Sequence, residues 1–113
     1  MTTSVDVEPA EGATILRIGG DITSGSETVL MDAYGRVPEG SRTVVLDFGG
    51  LEYMNSGGIG LLVTLLVRAQ RAGQRLMAIG LSDHYRQILS LTRLDEAIAI
   101  HEDEPAALAA ASA

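Results

Sequence analysis

The 113-residue sequence contains no cysteine. This absence excludes disulfide bonds, thiolate metal sites and cysteine nucleophiles, and it is typical of proteins from a reducing compartment. The two histidines, His84 and His101, are isolated from each other in the sequence and do not define a metal site. We therefore expect no metal, no cofactor and a cytoplasmic location.

Positive charge is scarce, because eight Lys or Arg face 15 Asp or Glu and leave a net charge of -7. Nucleic acid and anionic membrane surfaces attract clustered cations, so neither is an expected partner. Long apolar runs are also missing. The longest, residues 59–67, falls short of the roughly 18 residues of a membrane-spanning helix. The first residues are polar and acidic, unlike a signal peptide, and we expect no membrane insertion.

The residues that are present suit one domain over residues 1–113. Hydrophobic residues make up 46% of the chain, which is enough for a single core at this length. The predicted strands are 4–8, 14–18, 43–48, 75–81 and 97–101, and the predicted helices are 27–34, 56–71, 83–92 and 104–110. This order predicts an α/β fold with a mixed β-sheet of about five strands, parallel pairing in its centre and helices packed against it.

Local signals predict where several elements begin and end. Gly19 and Gly20 are expected to end the second strand, and Ser26 is expected to cap the first helix. The strand and helix stripes are expected to meet in one core. That core is predicted to contain Val44, Leu46, Ile59, Leu62, Leu66, Ile79, Leu89 and Ile98.

The predicted helix at 56–71 is apolar almost all round in its first half. Its core stripe is predicted to consist of Ile59, Leu62, Val63, Leu66 and Ala69. Leu61 and Leu65 lie on a different side of the same helix. A helix of this kind is either enclosed or touches something, and a partner-binding surface at Leu61 and Leu65 is one of these two alternatives.

The stretch from Met54 to Gly60 contains a serine between an amide and two glycines, where a strand passes through a loop into a helix. Asn55 or Ser56 can simply cap the helix. Ser56 can also be a switch, because a phosphate is tolerated beside helix N-terminal amides while it alters any surface that docks there. The two uses are compatible and both stay open.

Two enzymatic interpretations use the same stretch. Residues 57–60 could cradle a nucleotide phosphate, but they lack the lysine of a P-loop and the spacing of a dinucleotide fingerprint. Ser56 could be a hydrolase nucleophile, but Met54 stands where the nucleophile elbow requires glycine. We expect no catalytic residue, and we keep a nucleotide-binding or hydrolytic enzyme as the alternative of another class.

Nearly the whole chain resembles the STAS domain of bacterial anti-sigma factor antagonists. The residues that carry the resemblance are Gly20-Asp21-Ile22, Val44-Val45-Leu46-Asp47-Phe48 with Leu51, Met54-Asn55-Ser56-Gly57-Gly58-Ile59-Gly60, and Gly73. The resemblance implies a STAS-type fold and a partner that is both anti-sigma factor and serine kinase. It implies that the unmodified domain binds this partner and frees the sigma factor, and that phosphorylation of Ser56 ends the binding.

Carried over to this sequence, the resemblance makes Ser56 the phosphoacceptor within a loop of Asn55, Gly57 and Gly58. Two positions differ from the family's usual pattern, because Asn55 and Thr23 stand where aspartates are common. A constitutive antagonist, which is not phosphorylated, is therefore an alternative to the switched one. Together with the apolar side of the predicted helix at 56–71 and the turn after the second strand, the resemblance predicts a partner-binding set of Asp21, Thr23, Asn55, Ser56, Gly57, Gly58, Leu61 and Leu65. We expect a monomer or weak dimer. The runner-up within the fold is an accessory subunit of a transporter or lipid-transport complex.

Overall fold

The computed structural model describes residues 2–112 as a five-stranded β-sheet with four helices. The strands are β1 (Thr3–Ala10), β2 (Ala13–Ile22), β3 (Thr43–Met54), β4 (Arg75–Ile79) and β5 (Ile98–Ile100). The helices are α1 (Glu27–Gly35), α2 (Ser56–Arg71), α3 (Asp83–Leu91) and α4 (Glu104–Ala111), with 3-10 turns at Ser24–Ser26 and Leu94–Glu96. Within the described residues, no helix is both long and apolar enough to cross a membrane.

The strands lie in the order β1-β2-β3-β4-β5. The hairpin partners β1 and β2 are antiparallel, and every later neighbour in the sheet is parallel. Parallel neighbours need a crossover, which α1, α2 and α3 supply in turn. The predicted α/β fold with a mixed sheet is confirmed.

The two faces of the sheet bury different cores. One face packs against α1, α2 and α3, and the other packs against the alanine-rich helix α4. Successive strand residues alternate between the faces, so Leu76 and Ala78 enter the larger core while Met77 and Ile79 enter the smaller one. The prediction that Ile79 shares the larger core is therefore wrong.

β2 and β3 both run further than their sequence patterns indicated. Gly20 does not end β2, because the pairing with β3 continues through register shifts to Ile22. Gly20 has a φ of +78°, and a Cβ there would come within 2.0 Å of the Thr2 carbonyl oxygen. A glycine inside a strand often marks such an irregularity and not its end.

The buried side of α2 also differs from the predicted stripe. Its buried residues are Gly58, Leu61, Leu62, Leu65, Leu66 and Ala69. Leu61 and Leu65 are 7% and 0% exposed, so their assignment to a partner surface is wrong. Val63, which was expected in the core, is 42% exposed and lies on the outward side with Val67.

Candidate functional site

The two segments that the sequence singled out lie side by side in the structure. β2 and β3 are parallel, and their last residues, Ile22 and Met54, are register partners. The Asn55 backbone N–H donates a hydrogen bond to the Ile22 carbonyl oxygen at 3.3 Å. Because carboxyl ends of parallel strands meet at one edge of the sheet, the chain around Asp21 and Thr23 adjoins the start of α2.

Asn55 caps α2, and Ser56 is its first residue. The Asn55 backbone is extended, and its side-chain Oδ1 accepts a hydrogen bond from the Gly58 N–H at 3.0 Å. The Asn55 carbonyl oxygen accepts from the Ile59 N–H, also at 3.0 Å. Ser56 is exposed, and its hydroxyl has no hydrogen-bond partner among residues 2–112. Capping is thus the work of Asn55, and the serine hydroxyl faces solvent.

Glycines 57 and 58 let α2 approach the end of β2 closely. A Cβ at Gly57 would lie 2.8 Å from the Ser24 nitrogen. A Cβ at Gly58 would lie 2.2 Å from the Ile22 carbonyl oxygen, which no side chain can tolerate without a shift of the backbone. The two glycines therefore serve the packing of the helix start against the turn after β2.

Thr23 begins that turn and caps it. Its hydroxyl accepts a hydrogen bond from the Gly25 N–H at 3.2 Å, and its own backbone N–H donates to the Ser26 hydroxyl at 3.0 Å. Ser26 occupies the predicted N-cap position of α1, but it is buried and its side chain makes no capping hydrogen bond to that helix. Thr3 on β1 bonds to the Ser26 hydroxyl at 2.5 Å, which fixes the turn to the edge strand.

Asp21 lies beside the same turn and is half-buried. Its Oδ1 is buried and has no hydrogen-bond partner among the described residues. A shallow depression of about 350 Å³ adjoins it, lined by Thr2, Thr3, Asp21, Thr23, Gly25 and Val29. Asp21 and Thr23 are thus brought next to Asn55, Ser56, Gly57 and Gly58, whereas Leu61 and Leu65 lie beneath the surface in the core.

Sequence reasoning missed one residue of this region, Tyr85 on α3. Its hydroxyl oxygen accepts a hydrogen bond from the Met54 backbone N–H at 2.9 Å. The two residues are 31 positions apart, and no local pattern signals the contact. Tyr85 therefore joins the site only through the tertiary structure.

The Asn55 cap reduces the number of free amides that the start of α2 offers to a nucleotide phosphate. The Gly58 N–H is already bound by Asn55, and the Ile59 N–H is bound by the Asn55 carbonyl oxygen. A phosphate cradle needs such amides to be free. Among residues 2–112, no group of three or more His, Cys, Asp or Glu could hold a metal ion.

Comparison with solved structures gives close matches in fold. The chain is similar to a putative anti-sigma factor antagonist from Thermotoga maritima, with a TM-score of 0.84 at 16% identity over 96% of this chain and 95% of that one. An anti-sigma factor antagonist from Mycobacterium paratuberculosis also gives 0.84, at 20% identity over 99% and 96%. A sulfate transporter family protein from Wolinella succinogenes gives 0.78, at 22% identity over 95% and 89%.

A protein-family model identifies the family directly. The model described as "Mlab, STAS domain" matches residues 5–102, which is most of the chain. The matched range includes all five strands apart from the first residues of β1, and it includes the complete Ser56 region. The chain therefore belongs to the STAS domain family.

Proposed function

We propose that this protein is an anti-sigma factor antagonist that binds an anti-sigma factor with serine kinase activity and is switched at Ser56. The observation that carries the proposal is that Asn55, and not Ser56, caps the start of α2. Asn55 provides the cap, so the hydroxyl of Ser56 is exposed and has no structural role among the described residues. A free hydroxyl between a cap and two glycines is accessible to a kinase.

The docking surface in this proposal consists of the Ser56 segment and the adjoining turn at Thr23. Close packing of Gly57 against Ser24 makes these two segments one continuous surface. A phosphate on Ser56 would add about -1.5 to -2 charges in the middle of it. The fold tolerates that charge at a helix N-terminus, whereas a docked partner must desolvate it.

Asn55 and Thr23 replace aspartates that are common in similar proteins, and the structure supports a docking role without them. The Asn55 side chain caps α2 through its oxygen, as an aspartate would, and Thr23 caps its own turn. The helix start and the turn therefore keep their capping hydrogen bonds without the two carboxylates. The proposal includes phosphorylation of Ser56 as the switch. If Ser56 is not modified, the protein is a constitutive antagonist that is not switched off.

Binding and phosphorylation can be tested with Ser56 variants and the anti-sigma kinases of the source organism. Ser56→Asp should weaken the complex by about 2 to 5 kcal/mol, the usual loss for an interfacial charge without a partner. Ser56→Ala should bind like the wild type and lose any phosphate seen by mass spectrometry after incubation with kinase and ATP. Ser90→Asp adds a carboxylate on the exposed part of α3 and should leave affinity unchanged.

If neither Ser56 variant changes affinity for any of these kinases, the switch proposal is wrong. Equilibrium titration with ATP and GTP analogues tests the enzymatic alternative at the same time. We propose a binding module and not an enzyme, so little nucleotide affinity is expected. Ester or nucleotide hydrolysis that disappears in Ser56→Ala would contradict this.

A second candidate function is an accessory subunit of a transporter or lipid-transport complex. The match to the Mlab, STAS domain family model and the similar fold of the Wolinella succinogenes protein favour it. The two candidates differ in their partners. Co-purification with a permease or transport ATPase, insensitive to Ser56→Asp, would favour the accessory subunit over the antagonist.

A further inference from the structure

The hydrogen bond between Met54 and Tyr85 replaces a strand contact at the end of β3. β3 pairs with β4 only as far as Asp47, opposite Ile79, where β4 ends. From Gly50 to Met54 it pairs with β2 alone. The Met54 N–H has no β4 neighbour to accept its hydrogen bond, and the Tyr85 hydroxyl accepts it instead at 2.9 Å.

Tyr85 is held rigidly enough to serve as such an acceptor. Its backbone N–H donates to the Ser82 hydroxyl, the cap of α3, at 3.3 Å. Its half-buried ring packs against the larger core, and the ring of His84 lies edge-on at 5.0 Å between centroids. The phenol therefore reaches Met54 from a fixed point at the start of α3.

Met54 in turn sets the position of the Ser56 segment. Its side chain is buried directly beneath Gly58, where a Cβ would lie 2.8 Å from the Met54 Cγ. Asn55 follows at once and starts α2. A movement of Met54 is therefore transmitted to the cap and to the serine, because the packing under Gly58 leaves no free space.

We infer that Tyr85 is a positioning residue for partner binding: its hydroxyl holds the end of β3, so α3 determines how Ser56 is presented. This inference rests on the proposed function. It extends the functional region to a helix that the sequence did not connect with the serine. It also predicts that loss of one hydroxyl weakens docking although Tyr85 itself need not contact the partner.

The test compares Tyr85→Phe with Tyr34→Phe. The control removes the hydroxyl of another half-buried tyrosine. Tyr34 lies at the C-terminal end of α1, and its hydroxyl donates a hydrogen bond to the Gln74 Oε1 at 2.5 Å. In Tyr85→Phe, hydrogen exchange of the Met54 amide should accelerate about tenfold, because its acceptor is lost. Affinity for the anti-sigma kinase should fall about fivefold, which is the factor that corresponds to one net hydrogen bond. Tyr34→Phe should change neither quantity.

Unchanged exchange at Met54 or unchanged affinity in Tyr85→Phe overturns the inference. An equal loss of affinity in Tyr34→Phe also overturns it, because the effect would then be one of general stability. Failure of the proposed function would be seen separately, because Ser56→Asp would then bind the kinase as tightly as the wild type does. The exchange measurement on the free protein needs no partner and tests the structural step by itself.

Discussion

Gly57 at the start of α2 lies directly against Ser24 in the turn after β2, so closely that a Cβ on Gly57 would come within 2.8 Å of the Ser24 nitrogen and 3.0 Å of its Cβ. This contact joins two segments that are more than thirty positions apart into one surface. The absence of a side chain at Gly57 is therefore a packing requirement. The contact leads to a direct test by substitution.

Gly57→Ala should destabilise the protein, although alanine is normally the better helix former by about 1 kcal/mol. The added methyl group meets backbone atoms and must push the turn away, which costs about 1 to 3 kcal/mol for overpacking of this kind. Gly60→Ala is the matched control, because nothing lies within 4 Å of its added Cβ. It should raise stability by about 0.5 to 1 kcal/mol. Urea denaturation distinguishes the two, and equal stability of both variants would contradict the contact.

The side of α2 that is buried in the structure predicts very different losses of stability for substitutions at two apolar residues. Leu65 is fully buried, so Leu65→Ala should cost about 2 to 5 kcal/mol through lost transfer energy and a cavity. Val67 is 41% exposed, so Val67→Ala should change stability by less than about 0.5 kcal/mol. The midpoints of urea denaturation, compared with that of the wild type, measure the two losses of stability. A small effect at Leu65 would restore the original assignment of that side to a partner.

Much of the fold could be predicted from the sequence because its signals are local. The predicted bounds of α2, Ser56 to Arg71, agree with the structure, since Asn55 or Ser56 can cap its start and Gly73, with a φ of +70°, follows its last turn. Its buried side could not be predicted in the same way. A helix that is apolar almost all round has no single stripe, and only the positions of the neighbouring elements decide that Leu61 is enclosed and Val63 is not.

The candidate site, too, could be predicted only where it depends on local sequence. Asn55 and Ser56 could be identified as a cap and a neighbouring hydroxyl, but which of them caps the helix depends on where the backbone changes from extended to helical, and the structure places that change after Asn55. The contact of Met54 with Tyr85 depends on where α3 is packed, and it has no counterpart in local spacing. Residues joined only by the tertiary fold are those that the sequence could not reveal.

The cap itself can be tested by substitution at Asn55. Asn55→Ala removes the acceptor for the Gly58 N–H and should cost about 1 kcal/mol. Asn55→Asp keeps an acceptor and adds a charge that the helix dipole favours, so stability should be equal or higher by about 0.3 to 1 kcal/mol. Ser56→Ala should be nearly neutral in urea denaturation. A larger loss in Ser56→Ala than in Asn55→Ala would show that the serine is the cap.

A cluster around Arg17 predicts a pH dependence on the face of the sheet that α4 covers. Arg17 on β2 forms ion pairs with Glu8 on β1, with Asp47 on β3 at 2.7 Å and with Glu104 on α4 at 2.9 Å. The hydrogen bond from Arg17 lowers the pKa of Glu8 below its ordinary value of 4.5. The folded state therefore binds protons at Glu8 less readily than the unfolded state does.

The sign of the effect follows from that lowered pKa. The stability that the pair contributes is fully present above about pH 4.5 and is lost as the pH falls through the lower folded pKa. The difference in unfolding free energy between wild type and Arg17→Gln should therefore stay level from about pH 6 to about pH 4.5 and shrink as the pH falls further. Arg86 is exposed on α3 and forms no ion pair among the described residues, so Arg86→Gln should differ from wild type by a constant amount. Urea denaturation across this pH range measures both differences, and a constant difference for Arg17→Gln would show that Glu8 gains nothing from the pair.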